Sequence, residues 1–196
     1  MKLRHYILSA AIVLIGIGIG IYYLTVIRPG NANLPDDVVL ETAFGGEFDF
    51  GNTPDTVKII EFMYTHCPDV CPVTTLELSK LKSQLEKEGV FGDKVQFVTI
   101  TIDPERDTPE ALRNYAERFE ITSDEDGWLF LTGDEEEIRK VADSLRFLYR
   151  DPGSGEIIHS TWMYFLDEND NLLEQFVMGQ DFDPERAYKR IMRTIN

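Results

Sequence analysis

Residues 57–72 read Val-Lys-Ile-Ile-Glu-Phe-Met-Tyr-Thr-His-Cys-Pro-Asp-Val-Cys-Pro. Val57 to Tyr64 is β-rich and nearly continuously apolar, the pattern of a strand buried on both faces. Pro72 suits the first turn of a helix, for which Val73, Leu76, Leu81 and Leu85 supply apolar positions and Gly89 a stop. A buried strand, a turn carrying both cysteines of the chain, and a helix therefore follow one another directly.

Downstream, Val95 to Ile102 reads as a second strand leading to Asp103, and Thr108-Pro109 opens a helix with Leu112, Tyr115, Ala116 and Phe119 along one face. Asp134 and Glu137 have capping-box spacing for a further helix, with Ile138, Val141 and Leu145 as its inner stripe. Thr161 to Leu166 and Leu172 to Val177 flank a hairpin signal, and Asp183-Pro184 caps a last helix carrying Ala187, Tyr188, Ile191 and Ile195. The order β-α-β, an extra helix, then β-β-α predicts an α/β thioredoxin-like fold over residues 38–196.

Upstream, Tyr6 to Ile27 holds no charged residue, and at about 1.5 Å per residue such a run crosses a hydrocarbon core of roughly 30 Å. Residues 1–30 are thus expected to be a membrane anchor with a single transmembrane helix, and residues 31–37 a linker. Lys2 and Arg4 precede the run, whereas only Arg28 follows closely before Asp36 and Asp37, so the domain is expected outside the cytoplasm. The apolar run exceeds the h-region of a cleavable signal, and no organelle presequence precedes it, which points to a bacterial cell membrane. Beyond Gly30 the chain carries 16 cations against 35 anions, a net charge of −19. Nucleic acid is excluded as a partner on that balance.

Cys67 and Cys71 meet a helix N-terminus, where unpaired N–H groups and the helix dipole favour thiolates. A structural disulfide closing so short a loop would contribute only roughly 2 kcal/mol, so redox or metal chemistry is the better reading. Three residues separate the sulfurs, unlike the usual Cys-x-x-Cys of oxidoreductases. An i, i+4 pair on a helical turn can chelate one ion, and after local adjustment it can also close a disulfide. Of the three histidines, His5 lies on the cytoplasmic side and His66 is expected to point away from the sulfurs. His159 immediately precedes a strand, at a loop that in thioredoxin-like folds faces the cysteine turn, and so becomes the third ligand candidate. Two thiolates and an imidazole leave an open site, a poor match to structural zinc and a good one to copper, as Cu(I) or Cu(II). Met63, Met163 and Met178 read as core residues.

Three segments, Tyr64 to Pro72, Asp103 to Glu110 (Asp-Pro-Glu-Arg-Asp-Thr-Pro-Glu), and His159-Ser160, resemble the signatures of the Sco (SenC) family of copper proteins, in order from about Leu34 to the C-terminus. The resemblance implies a thioredoxin-like fold, copper held by Cys67, Cys71 and His159, and assembly of the dinuclear copper centre in cytochrome c oxidase subunit II. It also leaves open a thiol-disulfide reductase that keeps the oxidase's copper-site cysteines reduced. Asp103 to Glu110 either braces the cysteine loop or docks a partner. Many members carry Asp before the histidine, where this chain has Ile158, so the hydrogen bond that orients the imidazole must come from elsewhere.

Overall fold

The computed structural model describes His5, residues 13–20 and residues 34–195. Residues 1–31 and 32–196 form separate compact units, and the second contains the sheet. The anchor expected over residues 1–30 falls largely outside the described residues. Within it residues 13–20 are helical, and no helix among the described residues is long and apolar enough to cross a membrane.

The domain opens with an antiparallel pair, β1 (Val39–Thr42) and β2 (Glu47–Asp49). Then come β3 (Val57–Met63), α1 (Val70–Lys87), β4 (Val95–Thr101), α2 (Pro109–Glu117), β5 (Trp128–Thr132) and α3 (Glu135–Ser144). A two-stranded ribbon, β6 (Tyr149–Arg150) with β7 (Ile158–His159), precedes the hairpin β8 (Trp162–Leu166) and β9 (Leu172–Val177), and α4 (Pro184–Thr194) closes the chain. The main sheet has seven strands in the order β2-β1-β5-β4-β3-β8-β9. β3, β4 and β5 run parallel, while β1 and β8 pair antiparallel on either side of them. This is a thioredoxin-like α/β core with an added N-terminal hairpin.

Burial explains the centre: every residue of β3 and of β5 is buried, so apolar side chains dominate there and a polar one comes at a cost. Register puts Glu61, Thr99 and Phe130 in one row across the sheet, on the face covered by α1 and α2. Strand alternation sends Phe62 to the other face, where Phe147, following α3, stacks on it at 4.5 Å. The helices start where capping side chains allow. Thr108, Asp134 and Asp183 each accept a first-turn N–H, a contact worth about 1 kcal/mol.

Four details differ from the sequence reading. First, β5, Trp-Leu-Phe-Leu-Thr, lies between α2 and α3, so the second half begins with a third parallel strand rather than with an isolated helix. Second, α1 has Pro72 in its first turn and buries Leu81 and Leu85 as expected, but its buried stripe also takes in Cys71, Thr74, Thr75 and Leu78, whereas Leu76 is 49% exposed. Thr74 and Thr75 can face inward because their hydroxyls donate to the carbonyls of Val70 and Cys71, at 2.8 and 3.0 Å. Third, Asp134 caps the N–H of Glu136 at 2.8 Å, a tighter cap than the box expected with Glu137. Fourth, the β1–β2 and β6–β7 ribbons carry no long apolar run that would announce them.

Candidate metal centre

The end of β3 and the start of α1 deliver both cysteines. After Met63 the chain turns, and the Cys67 N–H donates to the Tyr64 carbonyl at 3.1 Å. Asp69 occupies the N-cap of α1 without a side-chain cap, so the free amides of the first turn are available to sulfur. The Cys71 N–H points at Cys67 Sγ, 3.4 Å away. Cys71 is 1% exposed, Cys67 is half-buried, and both are free thiols.

The two sulfurs are electrostatically unequal. A hydrogen bond from the Cys71 thiol, aided by His159 and by the Asp69 and Cys71 amides against the opposing effect of burial, draws Cys67 down to about 4. Cys71 is pushed far up by the same hydrogen bond, by burial and by the neighbouring thiolate. At neutral pH the pair is one thiolate and one thiol, with the charge on the more accessible sulfur.

His159 comes from β7. Its Nδ1–H donates to the Ser160 carbonyl at 2.6 Å, which leaves Nε2 for the sulfurs. This backbone carbonyl supplies the orienting bond that the missing carboxylate at Ile158 does not. The ring stacks on Phe147 at 6.0 Å and 25° between planes, and Tyr64 meets it edge-on at 5.9 Å. Burial lowers the His159 pKa, but the contact with Cys67 and the Ser160 carbonyl outweigh it, and the net shift is upward.

The donor atoms of Cys67, Cys71 and His159 lie within 4.8 Å of one another. The structure thus brings together the three residues singled out in the sequence. His66 is exposed and outside this group, in contact with Thr65 Oγ1 at 3.2 Å. Asp69 is exposed, and Met63, Met163 and Met178 are buried core residues.

The Asp103 to Glu110 motif braces the cysteine loop. Asp107, 0% exposed, accepts hydrogen bonds from the Thr65 N–H at 2.9 Å, from Thr65 Oγ1, and from Thr101 Oγ1 at 2.6 Å. Arg106 donates from Nε to Asp103 at 2.5 Å and from Nη1 to the Gly155 carbonyl at 3.5 Å, reaching toward the loop that leads into β7. Sequence reasoning quoted Ser160 beside His159 without giving it a role, and it missed Phe147 and Glu61. Ser160 and Phe147 act through backbone and tertiary packing, but Glu61 had a signal, a lone carboxylate inside an apolar strand.

The SCO1/SenC family model matches residues 39–196. A SCO2-like protein of Rickettsia conorii is 29% identical over 202 residues, covering 91% of this chain and 93% of the relative. Among solved structures, a SCO1/SenC family lipoprotein from Bacillus anthracis superposes with a TM-score of 0.75 at 27% identity, over 86% of this chain and 98% of that one. ScoI of Bradyrhizobium japonicum, solved with copper bound, gives 0.66 at 30% identity, over 80% and 96%.

Proposed function

Since the chain belongs to the SCO1/SenC family, we propose that it binds one copper ion through Cys67, Cys71 and His159 and delivers it to the dinuclear copper centre in subunit II of cytochrome c oxidase. The observation that carries this reading is the convergence of two sulfurs and one imidazole within 4.8 Å. Two soft thiolates suit Cu(I), and the imidazole adds the harder donor that Cu(II) requires. Three donors, with no fourth in the group among the described residues, make an open site, as a cargo ion needs, rather than the closed tetrahedron of structural zinc.

The chain's own residues prepare that site. Cys67 stands ready as a thiolate, Cys71 yields its proton on binding, and Ser160 fixes the imidazole tautomer. Asp107 holds the loop so that neither sulfur has to be ordered when the metal arrives. Residues 1–30 tether the domain to a bacterial membrane, with the domain on the extracytoplasmic side. Deleting residues 1–28 is expected to release it, and continued quantitative partitioning into membranes would refute the tether.

A second reading, thiol-disulfide reduction of the oxidase's copper-site cysteines, is favoured by the inequality of the sulfurs. The Cys67 thiolate would attack one sulfur of a partner disulfide to form a mixed disulfide. Cys71, losing its proton, would then attack Cys67 and release the partner as a dithiol. Copper titration of the reduced chain tests the leading reading. One ion per chain with strong sulfur-to-Cu(II) charge-transfer absorption is expected; stoichiometric zinc binding without preference for copper would sink it.

A further inference from the structure

Glu61 sits in the middle of β3, 1% exposed, with no ion-pair partner among the described residues. Trp128 Nε1 donates to Thr99 Oγ1 at 2.9 Å, and Thr99 Oγ1 donates to Glu61 Oε1 at 2.8 Å. Because the indole can only donate, the Thr99 hydroxyl hydrogen is committed to Oε1. Oε2 is buried and has no hydrogen-bond partner among the described residues. A carboxylate in that position would leave a charged oxygen unsolvated in the core, whereas a carboxylic acid with its proton on Oε2 removes the charge.

The row that holds Glu61 lies under α1 and α2: Phe130 of that row meets Tyr115 of α2 with ring centroids 6.2 Å apart. Thr75, one turn along α1 from Cys71, donates to the Cys71 carbonyl at 3.0 Å and is bonded to Tyr115 of α2 at 2.9 Å. The Glu61 charge bears on both Cys71 and Tyr115, raising each. Cys71 of α1 and Tyr115 of α2 are the titratable groups on which that charge bears, with neutral Thr99 and Trp128 on β4 and β5. Asp107, by contrast, is a buried carboxylate whose oxygens are satisfied by Thr65 and Thr101. Burial, partly offset by the Thr99 bond, raises Glu61 to about 7.

We propose that Glu61 is a proton-holding residue of the metal centre, neutral when the site is most negative and ionised when a more highly charged metal ion neutralises it. The inference rests on the copper reading above. Two thiolates with Cu(I) carry a net charge of −1, and with Cu(II) a net charge of zero. Taking one electron from an added small-molecule reductant turns Cu(II) into Cu(I). A proton from water then adds to the Glu61 carboxylate, so the buried charge is nearly unchanged. Reduction of bound copper is therefore harder at high pH, by up to tenfold in the equilibrium per pH unit between the two midpoints of Glu61.

The test is infrared spectroscopy of the full chain in metal-free dithiol, Cu(I) and Cu(II) forms across a pH series. A carboxylic C=O band is expected at neutral pH in the dithiol and Cu(I) forms and absent from Glu61→Gln. Its midpoint should lie about one pH unit or more higher with Cu(I) than with Cu(II). If Glu61→Gln folds poorly, 13C-labelled glutamate carboxyls assign the same band in the unmutated chain. Absence of the acid band, or equal midpoints in the two copper forms, would overturn the proposal. A chain that takes up no copper overturns the metal reading together with the linkage, and the accompanying metal titration tells that failure from the others.

Discussion

The carboxylate of Asp107 receives the backbone N–H of Thr65 at 2.9 Å and so ties the loop before Cys67 to the end of β4. The same oxygen accepts from Thr101 Oγ1 at 2.6 Å. One buried side chain thus fixes where the first sulfur emerges. Asp107→Asn keeps the volume but removes charge and swaps one acceptor oxygen for a donor amide. Copper affinity is expected to fall about 10- to 100-fold, as when a residue supporting metal ligands is lost. Copper competition titrations and amide exchange at Thr65 check this: exchange should quicken together with the loss of affinity. Unchanged values for both would mean that the loop holds itself.

The two thiols should differ sharply toward an alkylating reagent in the metal-free reduced chain. Cys67 is drawn down to about 4 by the hydrogen bond from Cys71, so its thiolate persists at every pH above that value and disappears as the pH falls through it. Mass mapping after iodoacetamide treatment is expected to place the label on Cys67, with little change in rate between pH 8 and 6, on the order of twofold. Cys71, buried and pushed up, should react only in unfolded protein. Equal labelling of both sulfurs would contradict the assigned asymmetry.

Stability depends on a charge at the far end of the same strand. Lys58 is 0% exposed, and its ammonium group donates to the Pro54 and Thr56 carbonyls and to Asp170 at 2.8, 3.0 and 2.9 Å. Asp170→Asn leaves that cation without its counter-charge, while the left-handed backbone at φ 58 still suits asparagine. The Asp170 side chain is 22% exposed, so the loss should fall below that of a fully buried pair, at about 2 kcal/mol in urea unfolding. A change smaller than the fitting error would mean that the two carbonyls alone satisfy Lys58.

How far the site was legible follows from the kind of signal each residue left. Cys67 and Cys71 stood out because the chain has no other cysteine and because a strand-to-helix junction is visible in the pattern around them. His159 followed from counting histidines and from the expected fold. The Ser160 carbonyl that orients its ring is a backbone group, which side-chain patterns do not encode. Thr74 and Thr75 are polar residue types, yet they face the core because each hydroxyl is satisfied within its own helix. β5 was overlooked although Trp128 to Leu131 is a continuous apolar run; a short buried strand and a buried turn look alike without its neighbours. Glu61 was absorbed into an apolar strand, although a carboxylate there is what most needs a reason.

His159 separates delivery from reduction. In the first reading its imidazole is one of three donors, and His159→Ala should weaken Cu(II) binding by about 100-fold or more, while Cu(I), content with two thiolates, is retained better. The ring packs against Phe147 and Tyr64, so folding is checked first by circular dichroism and thermal unfolding. In the second reading the substitution should leave the Cys67 and Cys71 couple nearly intact, since thiolate exchange needs attacking and leaving sulfurs but no imidazole ligand. Cys67→Ser and Cys71→Ser abolish function either way and do not discriminate. The expected outcome is a folded His159→Ala chain that has lost its Cu(II) charge-transfer bands and fails to restore oxidase activity in cells lacking the wild-type protein. Full restoration at ordinary copper levels would move the assignment to the reductase, because a copper carrier stripped of its Cu(II) ligand could not support normal assembly, whereas a dithiol reductant could.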